Sequence, residues 1–191
     1  MDLLPLLRQR TREQHARLDA ALDFRAGTMS RERYVAFLRG VLGVVSAVEP
    51  ALAVWLGPAG GPSRTCALRA DLGRLGVPHA PEERPVRLPR NEAEAYGCAY
   101  VLEGSALGGL VLAPAIAERL GATTPAAYLC LRGSDTTRAW RDFLERLRAF
   151  GERASAGDAH AACDIACTTF DAYAASLRAS GATFESCVCT P

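Results

Sequence analysis

The stretch EGSALGGLVLAP, residues 103–114, is apolar enough for a buried helix, yet it contains three glycines, Gly104, Gly108 and Gly109. Each glycine inside a helix costs about 1 kcal/mol relative to alanine. Gly104 and Gly108 are four residues apart and share one helix face, and Gly109 lies next to them. A face without side chains lets another group approach the backbone. That group is either a neighbouring helix, the commoner partner of small residues, or a flat cofactor, to which Ser105 would offer a hydroxyl.

Outside this stretch, hydrophobic residues recur mostly at helical spacing, and no segment shows the alternation typical of strands. We therefore predict an all-α fold, with one compact domain of about six helices at residues 1–180 and a flexible tail at residues 181–191. The first three predicted elements are a helix at 3–22, a helix capped by Ser30 that runs to about Trp55 with a bend at Pro50, and a short helix at 64–75. The next is a long helix from Asn91 that Pro114 kinks or breaks. It is followed by a helix capped by Asp135 or Thr136 and by a last helix at about 158–179 that begins at Gly157 and Asp158.

Length and charge narrow the class of protein. The 191 residues suit one domain, and the net charge of +1 gives no general attraction to nucleic acid or to an anionic membrane. The N-terminus does not read as a signal peptide, and the apolar stretch Gly104–Ala117 is shorter than the roughly 20 residues that span a bilayer. We expect a soluble, cytoplasmic protein that has no membrane span and no nucleic-acid partner.

The seven cysteines are odd in number and scattered, which argues against a disulfide framework and predicts that most are small buried apolar residues. His160, Cys163 and Cys167 share one face of the last predicted helix and are potential metal ligands. A fourth ligand for tetrahedral zinc is not evident, so we favour packing as their role. The pair Cys187 and Cys189 in the tail is a weak metal or redox signal by itself.

A second segment that bears on chemistry is TREQHARLD, residues 11–19. His15 and Asp19 are four residues apart, so the carboxylate can accept a hydrogen bond from one ring nitrogen and leave the other free to bind a metal. On spacing alone, an exposed surface pair is the commoner explanation. The motifs of nucleotide-binding loops, nucleophile elbows and zinc proteases are absent from the sequence.

Taken together and in this order, LRQRTREQHARLD (residues 7–19) and AYVLEGSALGG (residues 99–109) resemble the heme oxygenase family. In that family an N-terminal helix carries the histidine that ligates heme iron on the proximal side, and His15 falls at this position. Asp19 lies where members carry an acidic partner of that histidine. The glycine-rich stretch is similar to the distal helix that crosses the opposite heme face, and the separation of about 90 residues also fits.

The position after the first glycine departs from part of the family. Mammalian-type members have an aspartate there that anchors a water network, whereas this chain has Ser105. A serine at this position resembles the bacterial branch, including members encoded beside bacteriophytochromes. The route by which protons reach the site is therefore the part of the chemistry that the resemblance does not supply.

The resemblance implies that heme is both substrate and cofactor, and that it is cleaved with O₂ and external electrons to biliverdin, CO and ferrous iron. Gly104, Ser105, Gly108 and Gly109 would then be the catalytic residues of the distal helix. Electrons would come from a separate reductase or ferredoxin, because no flavin or iron–sulfur motif is present. A bacteriophytochrome that accepts the bilin is a further implied partner.

The resemblance also implies residues that contact heme. Arg8 lies two turns before His15, and Arg138 and Arg141 stand where members carry basic contacts to the propionates. Phe170 resembles a heme-contacting aromatic residue of the family. Surface charge and core packing are the plainer explanations of these arginines and of Phe170.

Two other functions stay open at this point. One is a heme carrier or sensor on the same fold that does not turn heme over. The other is a helical enzyme or binding protein without heme, similar to a thiaminase.

Overall fold

Most helices of this chain begin at a residue whose side chain caps the first turn. In the computed structural model, Ser30 Oγ accepts a hydrogen bond from the Arg33 amide at 3.2 Å, and Asn91 Oδ1 accepts one from the Glu94 amide at 2.8 Å. Such caps satisfy amide groups that have no partner within the helix. The two starts predicted at Ser30 and Asn91 are therefore confirmed.

The structure describes residues 1–22, 29–57, 61–78 and 85–182. Within these ranges it has seven α-helices and no strand, so the predicted all-α class is confirmed. The helices are α1 (Leu3–Arg10), α2 (Arg12–Leu22), α3 (Arg31–Leu56), α4 (Arg64–Arg74), α5 (Glu92–Leu120), α6 (Thr136–Arg153) and α7 (Ala156–Ala179), and a short 3₁₀ turn (Gly133–Asp135) precedes α6.

The single helix predicted over residues 3–22 is wrong, because Thr11 divides it into α1 and α2. Thr11 is buried, and its hydroxyl donates to the carbonyl of Leu7 at 2.8 Å. A threonine that bonds back to the preceding turn in this way often bends a helix. As a result, α1 buries Leu3 and Leu7, whereas α2 has no buried residue.

Three further boundaries differ from the prediction or refine it. The last helix begins two residues earlier than expected, because Ser155 and Asp158 form a reciprocal capping box. Asp135 precedes α6 but makes no capping hydrogen bond through its side chain. Pro114 lies inside α5, which continues to Leu120, so a break at this proline is wrong.

The centre of the fold is the pair α5 and α7. At their crossing, a Cβ built at Gly97 would overlap the carbonyl group of Ala162, so only glycine permits this approach. Two turns further along α7, Thr169 Oγ1 donates to Cys98 Sγ on α5 at 3.4 Å. Helices α1, α2 and α3 also contact α7, and α6 packs on α5 through Phe143 and Phe150, which both contact Tyr96.

Two helices, α3 and α5, are long and apolar enough to cross a membrane by length and composition. The prediction considered only residues 104–117 and missed this property of the complete helices. It is weak evidence, since core helices of soluble proteins pass the same test. Half of the most apolar window of α3 is buried inside the protein, but only 28% of that of α5.

The five cysteines in the described ranges are free. Cys98 and Cys163 are buried, Cys167 is half-buried, and Cys66 and Cys130 are exposed, so the prediction that most cysteines are buried is wrong for the described ranges. Cys187 and Cys189 lie outside the described residues, as does the tail from residue 183. Of the predicted tail, Ala182 is buried, and its carbonyl accepts a hydrogen bond from Arg33 Nε at 3.0 Å.

Candidate functional site

His15 and Asp19 form a pair on the exposed side of α2. The Nδ1 atom of His15 lies 2.9 Å from Oδ2 of Asp19, and 59% of the histidine side chain is exposed. The His15 ring also meets the buried ring of Phe170 at an angle of 66°, with 5.6 Å between centroids. Within the described ranges Nε2 has no partner. The carboxylate therefore fixes the proton on Nδ1 and leaves Nε2 as an available lone pair, which is the arrangement of a metal-binding histidine.

Helix α2 is the one α-helix of the described chain that buries no residue completely. Its apolar residues Leu18 and Leu22 are only half-buried, and they follow His15 at helical spacing. A helix in a folded domain ordinarily gains most of its stability by burying an apolar face. Leu18 and Leu22 pack against the edge of the core, so α2 is attached to the fold without a fully buried residue.

The three glycines of α5 fall into two kinds. A Cβ built at Gly109 would overlap the carbonyl oxygen of Leu129 and lie 3.2 Å from its carbonyl carbon. A Cβ built at Gly108 would meet no atom within 4 Å, and one at Gly104 would meet only the Trp140 ring, at 3.9 Å. Close packing therefore explains Gly109, whereas no described residue requires glycine at positions 104 and 108.

The open face of α5 is apolar as well as bare. Val111, which shares a face with Gly104 and Gly108, is 58% exposed. Exposed apolar side chains beside bare backbone mark a surface that a flat apolar group can cover. A free imidazole nitrogen and a bare apolar helix face are the two kinds of group that a heme site uses, the first to bind iron and the second to cover the porphyrin.

Helix α7 contacts both motifs. Phe170 touches His15 on α2, and the neighbouring Thr169 bonds to Cys98 on α5, six residues before Gly104. The two segments that are far apart in the sequence thus pack against adjoining parts of one helix.

The three predicted cationic contacts differ in their surroundings. Arg138 pairs with Asp135 at 3.2 Å on the surface. Arg8 and Arg141 are exposed and make no ion pair or hydrogen bond with the described residues. Of the three predicted contacts, Arg8 and Arg141 are therefore the ones that have no carboxylate partner among the described residues.

Sequence reasoning missed a buried ionic cluster next to the glycines. Glu103 lies between two arginines: Arg64 Nη2 is 2.8 Å from its carboxylate, and Arg132 binds it through both terminal nitrogens. Burial raises the pKa of Glu103, but the hydrogen bonds and charges of the arginines outweigh it and hold the pKa below its usual value. The cluster fixes the start of the glycine stretch to α4 and to the turn before α6. Its members are too far apart in sequence to form a motif.

The alternative metal group on α7 does not form. His160 Nε2 instead lies 3.1 Å from Asp164, and Cys167 Sγ donates to the carbonyl of Arg10 at 3.4 Å. In the part of the chain that the structure describes, no group of three or more His, Cys, Asp or Glu residues could hold a metal ion. The packing role favoured for Cys163 is consistent with its burial.

A groove of about 640 Å³ lies between α3, α4, α5 and α6. It contains Glu103, Arg64 and Arg132 of the ionic cluster, together with apolar residues such as Leu102 and Phe143. None of the residues predicted from the sequence lines it. The candidate site on α2 and α5 is therefore separate from this groove.

Comparison with known proteins supports the fold. The solved structure of the NO- and CO-bound heme oxygenase from Neisseria meningitidis matches this chain with a TM-score of 0.75, over 94% of this chain and 92% of that one, at 24% sequence identity. No protein-family model and no curated protein matches the sequence. Likeness at this identity concerns the path of the backbone. The chain has the all-helical fold of a bacterial heme oxygenase.

Proposed function

We propose that this protein is a heme oxygenase that cleaves heme with O₂ and external electrons to biliverdin, CO and ferrous iron. The observation that carries the proposal is the exposed His15, whose Nδ1 is bound by Asp19 and whose Nε2 is free, on a helix with no buried residue. The fold of the Neisseria heme oxygenase and the resemblance of the two sequence motifs support it.

His15 and Asp19 would hold the proximal side. Nε2 of His15 would bind the heme iron, and Asp19, by accepting the Nδ1 proton, would fix the orientation of the ring. Bound heme supplies the iron that activates O₂ and the porphyrin carbon that is oxidised. The edge-on ring of Phe170 limits how far the imidazole can turn.

Helix α5 would form the distal wall. Gly104 and Gly108 would let heme approach the bare backbone, and the exposed Val111 would cover part of its apolar surface. Gly109 acts on the other side of the helix, where it lets α5 approach Leu129 and so sets the position of the wall. Ser105 offers a hydroxyl beside this wall, and ordered water can extend it.

The propionates would bind exposed cations. Arg8 and Arg141 have guanidinium groups free to make paired hydrogen bonds with carboxylates. Arg138 would first have to leave Asp135, which makes it the weaker candidate of the three. The choice among these arginines orients heme in the site and hence decides which ring carbon is attacked.

We further propose that electrons come from a separate ferredoxin or flavin reductase and that the protein works in the cytoplasm. A bacteriophytochrome is the proposed acceptor of the bilin. The electron donor and the bilin acceptor rest on the resemblance of the sequence motifs.

The assignment of His15 can be tested with a matched pair of variants. His160 also lies on a helix surface and also has an aspartate four residues later. It lies near the N-terminal end of α7, away from Phe170. We expect the wild-type protein and His160→Ala to bind one hemin with a strong Soret band. His15→Ala should lose this ligation or bind hemin with a visibly different spectrum.

Turnover separates the oxygenase from a carrier. With ascorbate or a ferredoxin system in air, the Soret band should decay while a broad red bilin band grows. A Soret band that survives in the wild-type protein would indicate a carrier or sensor, and no Soret band at all would indicate a protein without heme. Normal turnover in His15→Ala would refute the assigned ligand.

A further inference from the structure

The groove of about 640 Å³ between α3, α4, α5 and α6 is not used by the proposed heme site. Its volume falls within the roughly 300–1,000 Å³ that is typical of small-molecule sites. Its described lining residues do not include His15 or the three glycines of the distal wall. A ligand in this groove would therefore bind independently of heme.

Part of the groove wall is apolar. Leu102 of α5 and Phe143 of α6 line it and are buried. Leu52 and Leu56, in the C-terminal part of α3, also line it but are only half-buried. These two leucines leave apolar surface accessible to water, and covering such surface is favourable. This wall suits the apolar part of a ligand.

The charged part of the lining has one positive charge in excess. Its members are four arginines and three acids, namely Arg64, Arg69, Arg132, Arg146, Glu49, Glu103 and Asp142. Glu49 accepts hydrogen bonds from the Ser63 hydroxyl at 2.8 Å and from the amides of Arg64 and Thr65 at 2.7 and 3.0 Å. Glu103 is bound by Arg64 and Arg132. The chain itself thus supplies donors to both of these carboxylates.

Two arginines of the groove still have donors to offer. The Arg132 side chain is only 10% exposed, and its Nε is buried without a hydrogen-bond partner among the described residues. Gly61 also lines the groove, and a Cβ built there would lie 3.7 Å from this Nε, which places Nε on the groove side of the guanidinium. Arg69 is exposed and makes no ion pair or hydrogen bond with the described residues. A buried donor without a partner indicates that an acceptor from outside the chain belongs beside it.

We propose that this groove binds an amphipathic carboxylate, a small molecule with an apolar body and one carboxylate group. The body would cover Leu52 and Leu56, and the carboxylate would pair with Arg69 and with Nε of Arg132. A carboxylate only accepts hydrogen bonds, so it matches a site whose acceptors are filled and whose remaining groups are donors. Its single negative charge also balances the excess positive charge. Because Nε is buried, the Arg132 guanidinium turns toward the groove when the ligand binds.

Calorimetric titration with octanoate and octanol tests the class of ligand, because the two molecules share an apolar chain and differ in the head group. We expect octanoate to bind at one site with a Kd below about 1 mM. Octanol should bind about fivefold or more weakly, since it has no charge to pair with the arginines. Absence of octanoate binding in this range, or equal binding of the two molecules, would overturn the proposal.

Two matched pairs of variants locate the site. Arg69 and Arg74 are both exposed on α4, but only Arg69 lines the groove. Arg69→Gln should weaken octanoate binding about two- to fivefold and leave octanol binding unchanged, whereas Arg74→Gln should change neither. Ala139 and Ala149 both lie on α6, and only Ala139 lines the groove. Ala139→Trp should fill the groove and abolish binding, and Ala149→Trp should not. Equal behaviour within the arginine pair would refute the site even if Ala139→Trp fails to fold.

The role of Arg132 can be observed directly. In ¹⁵N-labelled protein its Nε–H signal, identified by its loss in Arg132→Lys, should move when octanoate is added and stay in place when octanol is added. An unmoved signal at saturating octanoate would overturn the proposed contact. Protein mixed with hemin should bind octanoate as tightly as protein without it, and competition between the two would place octanoate on the open face of α5 instead of in the groove. None of these measurements uses turnover, so they decide the proposal whether or not the protein cleaves heme.

Discussion

Adjacent glycines on α5 allow a test that separates packing from ligand binding. Gly108 and Gly109 are neighbours in the chain, but only Gly109 has a close neighbour in the fold. We compare Gly108→Ala with Gly109→Ala, since the two substitutions add the same methyl group to the same helix. Any difference between them must come from what each methyl group meets.

For Gly108→Ala the protein without heme should become more stable. The added Cβ meets no atom within 4 Å, so no steric cost opposes the higher helix propensity of alanine. The expected gain is about 1 kcal/mol in the free energy of unfolding. The same methyl group stands on the surface proposed for heme, so hemin affinity should fall.

For Gly109→Ala the sign of the stability change should be opposite. The new Cβ would overlap the Leu129 carbonyl oxygen and lie 3.2 and 3.3 Å from its carbonyl carbon and Cα. These are backbone atoms on a turn anchored by Asp71, so they cannot swing away as the end of a side chain can. Overpacking of this kind costs about 1–3 kcal/mol or more, which exceeds the propensity gain.

Urea unfolding of both variants without heme, followed by hemin titration at the Soret band, measures the two effects separately. We expect Gly108→Ala to be stabilised with weakened hemin binding, and Gly109→Ala to be destabilised. The reasoning is refuted if Gly108→Ala binds hemin as tightly as the wild-type protein, because position 108 would then not face the ligand. Equal stability of the two variants would refute the distinction between the glycines.

Two further predictions concern the scaffold. Burial raises the pKa of Glu49, but hydrogen bonds from Ser63, Arg64 and Thr65 outweigh it and hold the pKa below 4.5. Since the folded pKa is depressed, this stabilisation is present above about pH 4.5 and is lost as the pH falls through the folded value. In Glu49→Gln the free energy of unfolding should therefore decrease less steeply as the pH is lowered. An unchanged slope of unfolding free energy against pH would contradict this. Ser155→Ala removes the capping box of α7 and should lower the free energy of unfolding by about 1 kcal/mol. This appears as a lower urea midpoint with an unchanged m-value. An unchanged midpoint would show that the cap contributes nothing to stability.

Much of the fold was predictable because local sequence signals agree with the final structure. Ser30 and Asn91 start their helices as expected, since a cap is a property of a few consecutive residues. The split at Thr11 was not predictable in this way. It depends on a threonine being buried and bonding to its own helix, which hydrophobic spacing does not reveal.

The candidate site shows the same limit. His15 and Asp19 are four residues apart, so helical geometry alone brings them to hydrogen-bond distance. The partners of Glu103, by contrast, come from α4 and from the turn before α6. Nothing in a single sequence indicates that Glu103 meets Arg64 and Arg132, because these contacts exist only in the folded chain.

The difference between Gly108 and Gly109 has a consequence for how the site is built. If heme binds as proposed, the protein itself packs on the face of α5 that holds Gly109, and the ligand packs on the face that holds Gly104 and Gly108. Helix α2 would likewise need the ligand to cover it, since it has no buried residue without heme. Heme would then be part of the apolar core, and its binding would stabilise α2 by mass action. If the function is as proposed, products that bind less tightly would release this helix, and the same fold would in this way retain its substrate and let its product leave.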